Sequence, residues 1–391
     1  MTSALMANYG HPDLQFSHGK GVYLYTADGQ RYLDFTAGIA VNCLGHCHPH
    51  LVQAIREQSE KLWHTSNLFS NIPTERLAQR LVDLSFADRV FFANSGTEAV
   101  ECGFKMMRRY HYHHGRKQRV RIITLTQSFH GRTLAPVAAS RNPLHTEGFL
   151  VGDGGFDQAP FGDLDALRAL VTHETAGIIL EPVQGEGGIR AVDVAYLKAV
   201  RQLCDEHGIL LMFDEVQSGM GRTGYLFAHE VLGGVTPDIL ASAKGLGGGF
   251  PIGACLSVEK VAEVMTAGTH GSTFGGNPLA TAVGNAVLDI LSDPAFLQTV
   301  QVRATRLRAG IDGLVQKYPA VIAGHTGLGL MVGLKCVCNN ADLLKALMSQ
   351  KMLAVKAGGN SLRLLPPLNL SEAEVDEALA LLDKACAAVN S

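Results

Sequence analysis

Six short apolar runs in the middle of the chain constrain its fold more than any other feature. They cover residues 89–93, 120–124, 176–180, 209–213, 239–243 and 252–257, and several have no polar position to turn toward water. A strand apolar at every position must be covered on both faces, which is the condition of a parallel sheet sandwiched between helices. Helical patterns lie between these runs at 97–110 and 194–207, and residues 51–62 are amphipathic. Alternation of this kind predicts an α/β fold, with a doubly wound, mostly parallel sheet and helices on both faces.

From Ala295 the pattern changes. Leu297, Val300, Ala304, Leu307, Ile311 and Leu314 recur at spacings of three and four, the signature of one buried helix stripe. Strand-like segments follow at 328–337 and 361–365. The closing SEAEVDEALALLDKACAAVN places Ser371 and Glu374 at capping-box spacing. This region is expected to form a smaller α+β domain. The opening GVYLYTADGQRYLDF reads as a hairpin around Asp28-Gly29 that packs with it. The expected division is 1–50 for the N-terminal segment, 51–290 for the large domain and 291–391 for the small one.

Composition removes several classes of function. The chain has 391 residues, with 33 Lys+Arg against 36 Asp+Glu and a net charge of -3. It carries no polybasic arm, so neither nucleic acid nor an anionic membrane is an expected partner. Eight scattered cysteines do not make a disulfide scaffold, and MTSALMANYGHPDL lacks the basic and apolar regions of a secretory leader. No apolar run is long enough to span a bilayer, and a cytoplasmic protein is expected. His46, Cys47, His48 and His50, like Cys336 and Cys338, fit no common zinc spacing, so no metal site is expected. His111, His113 and His114 end a helix pattern and are expected on a solvated face. Cys102 and Cys204 read as packing residues, and Trp63 as core or interface.

Ligands of doubly wound sheets gather beyond the carboxyl ends of the strands. The residues that leave the runs there are Asn94-Ser95-Gly96-Thr97, Ser128-Phe129-His130-Gly131-Arg132, Glu181 to Glu186, Asp214-Glu215-Val216-Gln217, and Lys244 followed by GLGGG. Ser95, Gly96 and Thr97 at a helix start suit an anion, although taken alone they read first as an ordinary N-cap. Asp214 and Lys244 each follow an apolar run and are expected to be buried. Together they fit either a structural salt bridge, or a Schiff-base lysine with an acidic partner for a pyridine nitrogen, as pyridoxal phosphate sites require.

The stretches LMFDEVQSGMGRTG and PDILASAKGLGGGFPIGA resemble the signature of the class III (ω-amino acid) aminotransferases, a group of fold type I pyridoxal-phosphate-dependent transferases. FANSGTEAVE, SFHGRT, LEPVQGEGG and GSTFGGNP match further blocks in the same order, from about Gly19 to Pro367. Within the family, DFTAGIAVNCLGHCHP and TSNLF are most similar to N-acetylornithine aminotransferases. The resemblance implies pyridoxal 5'-phosphate as cofactor, with Lys244 as the Schiff-base and proton-transferring residue and Asp214 on the ring nitrogen. It further implies Phe129 and Val216 on the two ring faces, His130 beside them and Gln217 on the ring hydroxyl. Ser95, Gly96 and Thr97 would hold the phosphate, and Thr273 would reach it from a second subunit, which implies a homodimer with shared sites.

For substrates, the resemblance implies Arg132 on the distal carboxylate and Arg363 on the α-carboxylate of 2-oxoglutarate. Glu186 would neutralise Arg363 while an amine donor is bound. The implied reaction is ping-pong transfer of the δ-amino group of N2-acetyl-L-ornithine to 2-oxoglutarate, giving glutamate, in arginine biosynthesis. Gly38 and Ile39 stand where ornithine aminotransferases carry a Tyr, which leaves room for an acyl group. Succinylornithine, succinyl-diaminopimelate, ornithine and 4-aminobutyrate remain alternative donors, and a silent cofactor-binding regulator is the alternative outside catalysis.

Overall fold

The computed structural model describes residues 4–9, 14–149 and 151–390. Residues 1–3 and 10–13, which belong to the stretch read above for a leader and to the 1–50 segment, lie outside the described residues. One seven-stranded sheet forms from β1 (Arg89–Ala93), β2 (Arg121–Leu125), β3 (Phe156–Ala159), β4 (Thr175–Leu180), β5 (Leu210–Asp214), β6 (Ile239–Ser242) and β7 (Gly253–Ser257). Their spatial order is β1-β7-β6-β5-β4-β2-β3. The pairs among β2 to β6 are parallel, while β7 runs antiparallel to both β6 and β1. Only residues 243–252 separate β6 from β7, too few for a crossover helix, so the chain returns in the opposite sense. β3 lies outside the six apolar runs because FDQA is half polar, as an edge strand can be.

Successive strand residues face opposite sides, and both sides are dry. Ile122, Ile179, Met212 and Ile239 pack with Val100, Phe104 and Met107 of α1 (Gly96–His113). Their neighbours Ile123, Ile178, Leu211 and Phe213 pack with Leu197, Val200 and Cys204 of α2 (Val194–His207). Each such side chain contributes about 1.5–3 kcal/mol of burial free energy. His111 corrects the expectation of a solvated face. It lies four and seven residues after Met107 and Phe104, on the buried side of α1, and its Nε2 is 2.8 Å from the Ala176 carbonyl. Burial pulls its pKa down to about 4.

The later part of the chain adds an antiparallel sheet of Ile322–Leu328, Met331–Cys336, Ser361–Leu364 and Val355–Ala357, in that spatial order. The expected strand over 328–337 is thus the second arm of a hairpin whose turn falls at Gly329. A Cβ there would meet the Thr223 backbone at 2.5 Å, and φ is +54°, so only glycine suits the position. The helix Pro294–Lys317 buries Val300, Ala304, Leu307, Ile311 and Leu314, while Leu297 is half-buried. Ser371 and Glu374 cap the closing helix Glu372–Asn390 reciprocally. Tyr23–Tyr25 and Arg31–Asp34 form the expected hairpin, and Met352–Leu353 extends it in parallel. Tyr23 and Arg31 both donate to Glu377 of the closing helix.

Candidate active site

Five of the parallel strands end on the same side of the sheet, and their next residues meet in one place. Gly96, Thr97, Phe129, His130, Gly131, Glu181, Asp214, Val216, Gln217 and Lys244 line a cavity of about 50 Å³. All but Gly131 and Glu181 were assigned a role from sequence. The cavity adjoins a wider one of about 550 Å³, lined by Arg132, Glu186, Arg141, Asn142, His145 and Lys356 among others.

The floor is made by β5 and β6. Asp214 is 4% exposed, and its Oδ2 lies 2.8 Å from His130 Nδ1 while its Oδ1 accepts the Val216 N–H at 3.1 Å. Its ion-pair partner is therefore His130, and the alternative of a structural bridge to Lys244 is not observed among the described residues. Burial works against a charged His130, but the Asp214 carboxylate more than offsets it and raises the imidazole pKa. Lys244 follows β6 with φ at +43°, a left-handed conformation that costs a non-glycine residue about 1–2 kcal/mol. Strain of this kind is retained where a side chain must be aimed. Loss of water around its amine, with Arg363 adding repulsion, pulls the Lys244 pKa down to about 8, while Asp214, Glu186 and Glu181 oppose the fall.

The start of α1 is the segment expected to receive an anion. Ser95 is its N-cap, with Oγ accepting the Glu98 N–H at 3.3 Å. The Gly96 and Thr97 amides, in the first turn, have no partner of their own within the helix. A Cβ on Gly96 would stand 2.7 Å from Val216, and one on Gly131 only 2.1 Å from Thr97 Oγ1. These two glycines let three segments close on one another.

The wider cavity holds the charged groups. Arg363 is 2% exposed and donates to Glu186 at 2.7 Å, to Gln217 at 3.4 Å and to the Lys356 carbonyl at 3.2 Å. The Glu186 side chain remains 39% exposed. Arg132 is exposed, with its guanidinium 5.3 Å from the centre of the Phe129 ring. Thr273 is exposed and lines neither cavity. Arg141, Asn142 and His145 had no signal in the sequence. They reach the site because the helix Leu134–Ser140 ends in a left-handed Arg141 and a second short helix, Pro143–Thr146, turns away.

The family profile described as aminotransferase class-III matches residues 5–386. The chain belongs to the class III aminotransferases. Among curated class III relatives, the acetylornithine aminotransferase of Mesorhizobium japonicum is 55% identical over 96% of this chain and 94% of its own. A solved N-acetylornithine aminotransferase of Stenotrophomonas maltophilia is 39% identical, covers 98% of both chains and superposes with a TM-score of 0.85. An ornithine aminotransferase of Toxoplasma gondii, described with partial occupancy of pyridoxal phosphate at its active site, is 31% identical over 99% of this chain and 92% of its own. Its TM-score is 0.94. As a class III member the chain is a transaminase of the fold type I group. No helix among the described residues is long and apolar enough to cross a membrane.

Proposed function

We propose that the protein is a pyridoxal-phosphate-dependent aminotransferase moving the δ-amino group of N2-acetyl-L-ornithine to 2-oxoglutarate. The products are N-acetyl-L-glutamate 5-semialdehyde and L-glutamate, a step of arginine biosynthesis in the cytoplasm. The observation that carries the reading is the buried Arg363, paired with a half-exposed Glu186 beside the floor that holds Lys244 and Asp214.

The residues present fit the cofactor. The first turn of α1 offers N–H groups and hydroxyls to a phosphate. Asp214 keeps lone pairs free to accept from a protonated ring nitrogen. Phe129 and Val216 offer apolar faces to the ring, Gln217 can bond its hydroxyl, and His130 fixes the Asp214 carboxylate. When bound, pyridoxal phosphate supplies a carbonyl carbon that exchanges amino groups and a ring that takes up electrons as the neighbouring C–H bond breaks. Lys244, with its amine partly neutral near pH 8, is placed to take that proton and return it on the far side of the transfer.

Substrate choice rests on three charges. Arg132 takes the carboxylate common to both substrates in the open cavity. Arg363 takes the second carboxylate of 2-oxoglutarate in a bidentate pair. The acetylornithine amine has no adjacent carboxylate, so Glu186 stays on Arg363 in that half of the cycle and yields to the oxo acid in the other. Such sharing of one site by two substrates in turn is the ping-pong pattern. The left-handed turn at Ala37–Ala40 lies beside this region, with Ala40 packed on Val183 and Leu365. Gly38 and Ile39 there are the small and apolar positions that suit an acylated donor.

The same reading includes a homodimer in which Thr273 serves the neighbouring subunit's phosphate. Supporting it, Trp63, Leu68, Phe69, Ile72 and Phe274 are large apolar residues left exposed around Thr273's segment and the 62–72 stretch. The backbone likeness is greater to ornithine aminotransferase than to the acetylated class, so the test compares both donors. With 2-oxoglutarate as acceptor, kcat/KM for N-acetylornithine should exceed that for ornithine by at least about tenfold, the worth of one well-placed acyl group. Equal or better use of ornithine would overturn the substrate and leave the family intact.

A further inference from the structure

Beyond the charge by which it opposes the fall of the Lys244 pKa, Glu181 has no role assigned above. It follows β4 directly, is 5% exposed, and stands in the wall of the smaller cavity. Its two oxygens accept from two different segments of the chain. Oε2 takes the Phe129 N–H at 3.1 Å and Oε1 takes the Gly185 N–H at 3.3 Å.

Each of those amides stands at the root of one substrate grip. The Phe129 ring lies against the Arg132 guanidinium. Gly185 precedes Glu186, and a Cβ on it would meet the Gln217 amide group at 2.5 Å. Gln217 in turn accepts from Arg363. One line of contacts thus runs from Glu181 to Arg132, and another from Glu181 to the Arg363–Glu186 pair.

We infer that Glu181 is a positioning residue that clamps the Arg132 segment and the Glu186 segment to each other, setting the distance between the two anion grips. This rests on the reading of Arg132 and Arg363 given under Proposed function. Two N–H donors in fixed positions need two acceptor oxygens. A carboxylate supplies both, whereas an amide supplies one oxygen and turns an NH2 against the other donor. An aspartate, one methylene shorter, cannot span the same gap.

The charged and titratable groups around Glu181 are His130, Asp214, Lys244 and Arg190. Burial pushes its carboxyl up to about 7; His130 opposes that rise, and Asp214 adds to it. Below that pH one oxygen takes a proton, the acceptor at one amide weakens, and the clamp loosens.

The test is hydrogen exchange followed by mass spectrometry on the full-length, cofactor-loaded protein, wild type against Glu181→Gln, together with steady-state kinetics. Exchange in peptides covering 127–132 and 183–188 should rise about tenfold, while β5 and α2 stay protected, because one hydrogen bond to a charged acceptor is lost. KM for both N-acetylornithine and 2-oxoglutarate should rise about tenfold at pH 8, with kcat changed by less than about threefold, the pattern of lost ground-state positioning. Wild-type KM should rise as pH falls through 7, and the variant should lack that rise. Glu181→Asp should change exchange and KM in the same direction and serves if the glutamine variant does not fold. Unchanged exchange in both segments, loosening spread over the whole sheet, or a fall in kcat at constant KM would each overturn the clamp. If the wild type turns over neither substrate, the functional reading fails, while the exchange result still decides whether Glu181 ties the two segments.

Discussion

Asp214 and Arg132 are assigned to the same site, yet they are held in opposite ways. Asp214 is 4% exposed at the end of a strand dry on both faces, with its two oxygens committed to His130 and Val216. Arg132 stands in solvent on a connecting segment, with one ring beside it. The same contrast separates the floor, with Lys244, His130 and Glu181, from the rim, with Glu186. A floor group works at a fixed pKa and distance, so the sheet must hold it and exclude water from it. A rim group must release one substrate and accept another, so it cannot be equally fixed. Arg363 belongs to both: its guanidinium is buried like the floor, while its partner Glu186 is part of the rim.

The contrast predicts that variants of Lys244 or Asp214, the floor groups aimed at the reacting atoms, lose chemistry with every substrate, and that rim variants discriminate between substrates. The largest effect belongs to Lys244→Ala. Removing a proton-transferring group costs at least about a thousandfold in kcat, and the loss should be the same for N-acetylornithine, succinylornithine and ornithine. Circular dichroism should report an unchanged fold, because no ion pair or hydrogen bond of the Lys244 side chain holds the fold among the described residues. A loss that depended on the donor would place Lys244 with the rim.

The floor was readable in the local pattern of the sequence, whereas the rim was named only through the family resemblance, for a physical reason. A floor residue must follow an apolar run, because burial of the strand is what carries it into the core. Asp214 after LLMF and Lys244 after ILASA are marked by that transition alone. Rim residues are set by turns whose shape depends on tertiary contact. Nothing local says that Ala37, Ile39 and Ala40 adopt positive φ, or that Arg141 turns left-handed. Glu181 shows the limit within the floor itself: its place after GIIL is as clear as Asp214's, but the two amides that it accepts come from segments that only the folded chain brings together. His111 failed for the opposite reason. Its neighbours His113 and His114 drew the whole cluster toward solvent, while the helical period carries residue 111 inward.

The next prediction tests the floor through its titration. The Lys244 pKa is lowered to about 8, so in the folded protein the neutral amine needed to bind a carbonyl appears well below the ordinary lysine range. The rate at which cofactor-free protein takes up pyridoxal phosphate should rise about tenfold per pH unit below 8 and level off above it. The sign for stability follows from the same shift. Between about 8 and the unfolded value the unfolded chain binds the extra proton, so this group's contribution to cofactor-free stability improves as pH rises through that window. Uptake still climbing at pH 10 would mean that the amine is not desolvated.

The smallest effect sharpens the boundary between floor and rim. Glu186→Ala leaves the Arg363 guanidinium buried without its carboxylate, and an unpaired buried charge is costly. The cost falls on one half of the cycle only. With N-acetylornithine bound, nothing replaces Glu186, and the single-turnover rate of amino transfer to the cofactor should fall about tenfold, the worth of one charge-assisted hydrogen bond. With 2-oxoglutarate bound, the substrate carboxylate takes the vacated position with no competitor to displace, so its half-reaction should hold its rate and its affinity should improve. Following the cofactor's absorbance in separate single-turnover experiments distinguishes the two. Equal losses in both halves would mean that Glu186 holds Arg363 in place throughout the cycle, and so belongs to the floor despite its exposure.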